Sequence, residues 1–235
     1  MAMSPPIARN VLIVGASRGL GLEFVRQYRA DGARVTATAR TDDGLAAITA
    51  LGAKALKLDV ADAASAAGLG WQVDGEAFDT VFYVAGVYGP RTAGMEPPSQ
   101  EDFDAVMHTN VLGAMRVLPS VADALAPPAA GRPGARIGVI SSRMGSIGLR
   151  NATAGWTYRA SKAAVNSVMK DASIALAGRA LCVAFHPGWV RTDMGGSSAD
   201  LEASESVAGM RRALAELDAS RNGSFLNHDG TPLAW

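Results

Sequence analysis

The apolar run Val11 to Val14 passes straight into Gly15-Ala16-Ser17-Arg18-Gly19-Leu20-Gly21, and helical spacing begins at once. Few features restrict a chain more. The run reads as a buried strand, and Gly19 to Ala30 as a helix, because Leu20, Phe24 and Tyr28 recur at intervals of four. Gly15 permits the tight turn. Gly19 lets a phosphate approach the backbone with no Cβ in the way, and Gly21 allows close helix–strand packing. A helix start also offers unpaired N–H groups and a partial positive charge, which suit a pyrophosphate. A plain structural turn is the alternative; the strand–turn–helix context favours the dinucleotide reading.

The same alternation continues along the chain. Strands are expected at Arg34–Arg40, Ala53–Leu58, Thr80–Ala85, Ala135–Ser141, Ala180–Phe185 and Ser224–Leu226. Helices are expected from Asp42 toward Leu51, with Thr41 or Asp42 as the cap, and at Asp62–Val73, Ser99–Ala126, Thr157–Ala177 and Ser204–Ser220. Pro119 is expected to bend or shorten the Ser99–Ala126 helix. Pro127–Gly134 reads as a turn-rich connector too short to separate domains. Apolar strands alternating with helices predict a parallel sheet covered on both faces. With right-handed crossovers this is an α/β, Rossmann-like, doubly wound sheet of about seven strands. Residues 1–235 then form a single dinucleotide-binding domain with a substrate loop near 187–203, and ligands bind beyond the carboxyl ends of the strands.

Composition narrows the function classes. A chain of 235 residues, 49% hydrophobic and 19% charged, buries a large core without staples and is not disordered. Lys plus Arg and Asp plus Glu are both 22, and a neutral chain lacks the basic footprint of a nucleic-acid binder. The lone cysteine, Cys182, reads as a core residue and argues against a disulfide framework. Apolar runs are too short for a membrane span, and Met1 to Asn10 has no apolar core of a signal peptide, so a soluble cytoplasmic protein is expected. His108, His186 and His228 lack metal-ligand spacing, and no Gly-x-Ser-x-Gly hydrolase elbow occurs.

The end of the second strand bears on which dinucleotide binds. A site for NAD places an acid there to hold the ribose 2′-hydroxyl. Here the chain reads Thr38-Ala39-Arg40, with no acid before Asp42. Arg40 and Arg18 suit a 2′-phosphate through bidentate hydrogen bonds, which favours NADP(H). Asp59, closing the third strand, is a candidate partner for the adenine amino group or a simple strand-end cap.

Ser142 closes the fifth strand, and Tyr158 and Lys162 lie four apart on a helix, on one face. An ammonium about 4 Å from a phenol contributes roughly 4 kcal/mol at an effective dielectric near 20. That lowers the phenol by up to about three pKa units before screening. A phenol tuned this way donates a proton to a carbonyl oxygen or takes it back from an alcohol, and Ser142 is placed to bind the same oxygen.

These anchors, with Asp59, Gly86, Asn110 and Pro187-Gly188 followed by Thr192, resemble the short-chain dehydrogenase/reductase family over nearly the whole chain. The resemblance implies hydride transfer between a nicotinamide and a small carbonyl or alcohol. Tyr158 is then the acid/base, Ser142 positions the carbonyl, and Lys162 holds the nicotinamide ribose. Asn110 keeps a water in the proton relay. The implied cofactor set is Gly15, Ser17, Arg18, Gly19, Leu20, Gly21, Arg40, Asp59, Val60, Ala85, Gly86, Tyr158, Lys162, Pro187, Gly188, Val190 and Thr192, with no metal. It also implies a homodimer or homotetramer through the two long helices.

Val14 and the segment Tyr83-Val84-Ala85-Gly86 depart from the family's usual Thr and Asn-Asn-Ala-Gly. The sixteen-residue step from Ser142 to Tyr158, Tyr-Arg-Ala-Ser-Lys itself and the closing Asp229–Trp235 segment resemble the C-factor and sniffer-type carbonyl reductase branch. Pocket walls are expected at 87–92, 143–156 and 189–198. Trp156, Trp189, Met144 and Met194 favour an apolar or aromatic carbonyl, or else pack their own loops. Arg143 binds an anionic group or faces water, and Gly195-Gly196 is a lid hinge or a flexible loop. Two other functions stay open: a dinucleotide-binding signalling protein of the C-factor type with little turnover, and a redox-neutral isomerase or dehydratase.

Overall fold

The computed structural model describes residues 9–129 and 134–235. Seven strands form one parallel sheet in the order β3-β2-β1-β4-β5-β6-β7. They are β1 (Asn10–Val14), β2 (Arg34–Ala39), β3 (Lys54–Lys57), β4 (Thr80–Tyr83), β5 (Ala135–Ile140), β6 (Ala180–His186) and β7 (Ser224–Asn227). The order reverses direction between β1 and β4, whose register pairs Val14 with Tyr83. In a doubly wound sheet that reversal opens a crevice at the carboxyl ends of the strands.

Alternating side chains build two cores. Leu12, Val14, Val81, Tyr83, Ile137 and Cys182 face one layer; Val11, Ile13, Phe82, Val183 and Phe185 face the other. The second layer is covered by α1 (Gly19–Ala30) and α8 (Ala203–Ala215), among other segments. In it Phe24 and Phe82 stack with ring centres 4.0 Å apart, and Gly138 makes room, since a Cβ there would lie 2.6 Å from the Phe82 ring.

Helix ends follow local chemistry. Thr41 accepts from the Gly44 N–H and caps α2 (Asp42–Ala50); Ser99 accepts from the Asp102 N–H and caps α5 (Gln100–Met107). Asp62 caps α3 (Ala63–Ala67), and Gly68 separates it from α4 (Leu69–Gln72), so the single helix expected over Asp62–Val73 is two. The helix expected over Ser99–Ala126 is also interrupted. A π-helical turn, His108–Leu112, divides α5 from α6 (Gly113–Val121), and a 3₁₀ turn follows. Pro119 sits inside α6, and the α-helix ends two residues later. The long helix α7 (Trp156–Ala175) starts one residue early, and α8 stops at Ala215 rather than Ser220. Of the connector predicted over Pro127–Gly134, residues 130–133 lie outside the described residues. Cys182 is buried, as expected.

Candidate active site

A cleft of about 260 Å³ opens at the β1–β4 reversal. Its floor is the glycine turn. Gly15 has φ of 88°, and a Cβ there would sit 2.6 Å from the Ala85 nitrogen; one at Gly21 would sit 2.1 Å from the Gly15 carbonyl oxygen. Both positions are closed to any side chain, which lets α1 pack directly on the turn. The Cβ-free Gly19 faces nothing nearer than Thr192, at 3.5 Å. Thr38 holds the turn from β2: its hydroxyl accepts from the Gly15 N–H at 3.1 Å and its carbonyl from the Ala16 N–H at 2.7 Å.

The first turn of α1 has no side-chain cap and no acidic residue. Its N–H groups and the positive end of the helix dipole therefore face the cleft without an anion supplied by the chain. Ser17, Arg18 and Arg40 line the same space, with Asp59 and Val60 at the end of β3. One Asp59 carboxylate oxygen accepts from the Ala61 N–H at 3.0 Å. Arg40 is exposed. Arg18 is 3.0 Å from Asp193, both well exposed, so this pair is weak and readily exchanged for another anion. The uncapped N–H groups, the Cβ-free turn and two arginines without an acid at the end of β2 fit a dinucleotide bearing a 2′-phosphate.

On the far wall are Tyr158 and Lys162 of α7. Lys162 is buried, donates to the Ile140 carbonyl at 2.9 Å and lies 5.6 Å from the centre of the Tyr158 ring. Gly145 brings the loop after β5 against this helix: a Cβ there would be 2.7 Å from the Lys162 carbonyl carbon. That loop is the 3₁₀ turn Arg143–Gly145, which Ser142 caps by accepting from the Met144 N–H at 3.1 Å. The Ser142 hydroxyl lies near enough to the Tyr158 phenol to favour its ionised form.

The electrostatics differ from the sequence expectation. Burial pushes the Tyr158 phenol well above its ordinary value; the nearby Ser142 hydroxyl works against this, and Tyr88 adds to it. Burial also pulls the Lys162 ammonium down to about 8. The lowering of the phenol by Lys162 is therefore not seen. Removal from water penalises both charged forms, and the ammonium lies against the ring and a carbonyl.

Asn110 is anchored on both sides. It sits in the π-helical turn, and its amide donates to the Val87 carbonyl and the Ser161 hydroxyl, both at 2.9 Å, while Oδ1 accepts from the Val87 N–H at 2.8 Å. Both side-chain donors are engaged, so the side chain fixes the loop after β4. Tyr83, which stands where the family uses asparagine, donates to the Thr109 carbonyl of the same turn at 2.9 Å.

Of the expected residues, Gly15, Ser17 to Gly21 without Ala16, Arg40, Asp59, Val60, Ala85, Gly86, Tyr158, Lys162, Pro187 and Thr192 line the cleft. Gly188, Val190, Ser142 and Asn110 do not. Gly188 packs toward Leu201 and His228, and Val190 bridges to Leu201. These pairings tie the 187–201 loop to itself, and the Trp189 indole donates to Gly195 of that loop, so Trp189 packs its own loop. Motif reading misses Thr38 and Thr109, which also line the cleft, whereas Asp193 and Met194 fall in the wall expected at 189–198. Thr38 and Thr109 come from β2 and the π-helical turn, and no spacing joins them. Among the described residues, no helix is long and apolar enough to cross a membrane.

A family model, short chain dehydrogenase, matches residues 9–203. The chain belongs to that family. Its solved structural relatives include the carbonyl reductase Sniffer of D. melanogaster, at 30% identity and a TM-score of 0.84, covering 97% of this chain and 99% of that one. An NADPH-bound carbonyl reductase from chicken fatty liver aligns at 30% identity and TM-score 0.84, over 98% and 100%. The C-signal protein of Myxococcus xanthus is 38% identical over 129 residues, 54% of this chain and 74% of that protein. The family member described here is thus an oxidoreductase, related to the carbonyl reductase and sniffer-type branch.

Proposed function

We propose that this short-chain dehydrogenase is an NADP(H)-dependent carbonyl reductase that converts an aldehyde or ketone to an alcohol, or runs the reverse. One observation carries the reading: two buried titratable groups of α7, Tyr158 and Lys162, open onto the same cleft as the uncapped start of α1. Pyrophosphate falls to the Gly19–Gly21 N–H groups, the 2′-phosphate to Arg40 and Arg18, the adenine to Asp59, and the nicotinamide ribose to Lys162. Pro187 and Thr192 border the nicotinamide end, with Gly188 and Val190 shaping the loop from behind. When bound, the cofactor supplies or accepts the hydride.

The chain's own residues handle the proton. Ser142 donates a hydrogen bond to the carbonyl oxygen and holds it beside Tyr158. The phenol, kept protonated by burial, gives its proton to that oxygen and regains one from solvent, while Lys162 holds the nicotinamide ribose. Asn110 acts by position, holding Val87 and Ser161. The NADPH-bound carbonyl reductase described above supports the cofactor choice. A homodimer or homotetramer through α5, α6 and α7 is part of the proposal, since Phe103, Met115 and Ile174 are 42%, 51% and 65% exposed on these helices. Cytoplasmic residence accords with the NADP(H) chemistry.

NADPH oxidation across a panel of aldehydes and ketones tests the reading. Tyr158→Phe is expected to lose about 10²- to 10⁴-fold in kcat while still binding NADPH. Undiminished turnover in that variant refutes the assignment. The likeness to C-signal favours a second reading, a dinucleotide-binding signalling protein; tight NADPH binding without turnover of any panel member supports it instead.

A further inference from the structure

We infer that Tyr88, in the loop after β4, is a positioning residue for Tyr158, held in place by Arg91; the inference rests on the reductase reading above. The Tyr88 and Tyr158 rings stack with centres 4.5 Å apart and planes 22° from parallel. That separation is ring-on-ring contact, with no room for a water or a substrate between the faces. The Arg91 guanidinium lies over the Tyr88 ring, 5.1 Å from its centre. Tyr158 fills one face of Tyr88, so the cation takes the other.

The stack is anchored at both ends. The Tyr88 hydroxyl lies where a Cβ at Gly155 would be, 2.6 Å away, and Gly155 has φ of 66° just before α7 begins. The Gly155 N–H donates to the Thr92 carbonyl at 3.1 Å. The loop carrying Tyr88 is therefore fixed to the start of the helix that carries Tyr158. Across the mouth, Arg91 donates to the Met194 carbonyl at 3.2 Å, reaching the loop after β6. Arg91 has no carboxylate partner among the described residues, so its attachments are this carbonyl and the ring.

A phenol on a helix surface with one bare face swings about its side-chain torsions and is hydrated on that face. Tyr88 removes both freedoms: it fixes the ring plane and keeps water off it, so the hydroxyl stays aimed into the cleft beside Ser142. The contact requires a flat ring on Tyr88 and not its hydroxyl.

The test compares Tyr88→Ala, Tyr88→Leu and Tyr88→Phe in the full chain, using the best carbonyl substrate of the panel and NADPH. Alanine and leucine are each expected to lower kcat about tenfold, with the Kd for NADPH within about twofold of the parent, and phenylalanine to restore kcat. Leucine fills the space without stacking, so rescue by leucine equal to that by phenylalanine overturns the inference, as does an alanine variant with parental kcat. If the alanine variant does not fold, the leucine–phenylalanine pair decides. Tyr158→Phe is run beside them. Activity surviving in that variant removes the reductase reading itself, whereas its loss together with indifferent Tyr88 variants removes only the role of Tyr88.

Discussion

Lys162 and Tyr158, one helical turn apart, share a buried wall in which the ammonium lies 5.6 Å from the ring centre and is bound to the Ile140 carbonyl. Burial governs both: it raises the phenol and lowers the ammonium to about 8. At neutral pH the phenol keeps the proton it needs as an acid.

The lowered Lys162 value is a statement about stability. In the unfolded chain the lysine holds its proton up to its ordinary value of 10.5. Between about 8 and 10.5 the unfolded state therefore binds more protons than the folded one, and stability from this group rises with pH. Below 8 both states carry the charge, and the folded state bears the full desolvation cost. The ceiling of the gain is about 3 kcal/mol. Urea unfolding of the cofactor-free parent and of Lys162→Met measures it. The stability of the parent relative to the variant is expected to improve from pH 7.5 to pH 9.5, and a constant difference contradicts the burial argument.

Gly145 makes a sharper prediction. A Cβ at this position would fall 2.7 Å from the Lys162 carbonyl carbon and 2.9 Å from its Cβ. Neither neighbour yields, because one is helix backbone and the other is fixed to it. In Gly145→Ala the 3₁₀ turn must withdraw from α7, and Ser142, which caps that turn, moves with it. A misplacement of about 1 Å can cost on the order of 10²-fold in rate. Steady-state kinetics are expected to show kcat falling by about that factor, while NADPH titration gives a nearly unchanged Kd.

The sheet is legible because its central strands, such as Val11–Val14 and Thr80–Tyr83, are buried on both faces and run into glycine turns or cap residues. Val11–Val14, the glycine turn and the Tyr158/Lys162 pair each carry their meaning within a few residues. What escaped depends on contacts distant in sequence. The π-helical turn at His108–Leu112 has no local signature; Asn110 reaches back to Val87 from it, and Tyr83 supplies a hydroxyl to its Thr109 carbonyl. The phenol's environment depends on such contacts too. Spacing on α7 gives the distance between two side chains but not the burial that Tyr88 and the loop after β5 impose on them.

Phe82 joins the sheet to α1. Its ring contacts Phe24 at 4.0 Å and lies 6.3 Å from Phe185, with Gly138 leaving the space it fills. Phe82→Ala removes the middle of this row and leaves a cavity that strands on both sides keep from collapsing. The expected loss is about 3–5 kcal/mol. For a domain of this size that lowers Tm by roughly 6–20 °C. Thermal unfolding monitored by circular dichroism checks it, and a shift of only a degree or two means that the site repacks.

The choice between NADPH and NADH turns on Arg40. The end of β2 offers no carboxylate for a ribose 2′-hydroxyl, and the nearest acid, Asp42, is paired with Lys57 at 3.1 Å. Arg40 has no such partner among the described residues, whereas Arg18 is already engaged with Asp193. A charge-assisted hydrogen bond to phosphate is worth about 1.5–3 kcal/mol. Arg40→Gln is therefore expected to raise the Kd for NADPH about 10- to 100-fold, with NADH binding changed by no more than about twofold. Arg18→Gln must first be credited with breaking an exposed ion pair worth about 0–1 kcal/mol, so its effect on NADPH is expected to be smaller. Fluorescence titration of both nucleotides against both variants measures the four constants. Equal losses for NADPH and NADH in Arg40→Gln place the guanidinium away from the 2′-phosphate and remove the basis for NADP(H) selection at the end of β2.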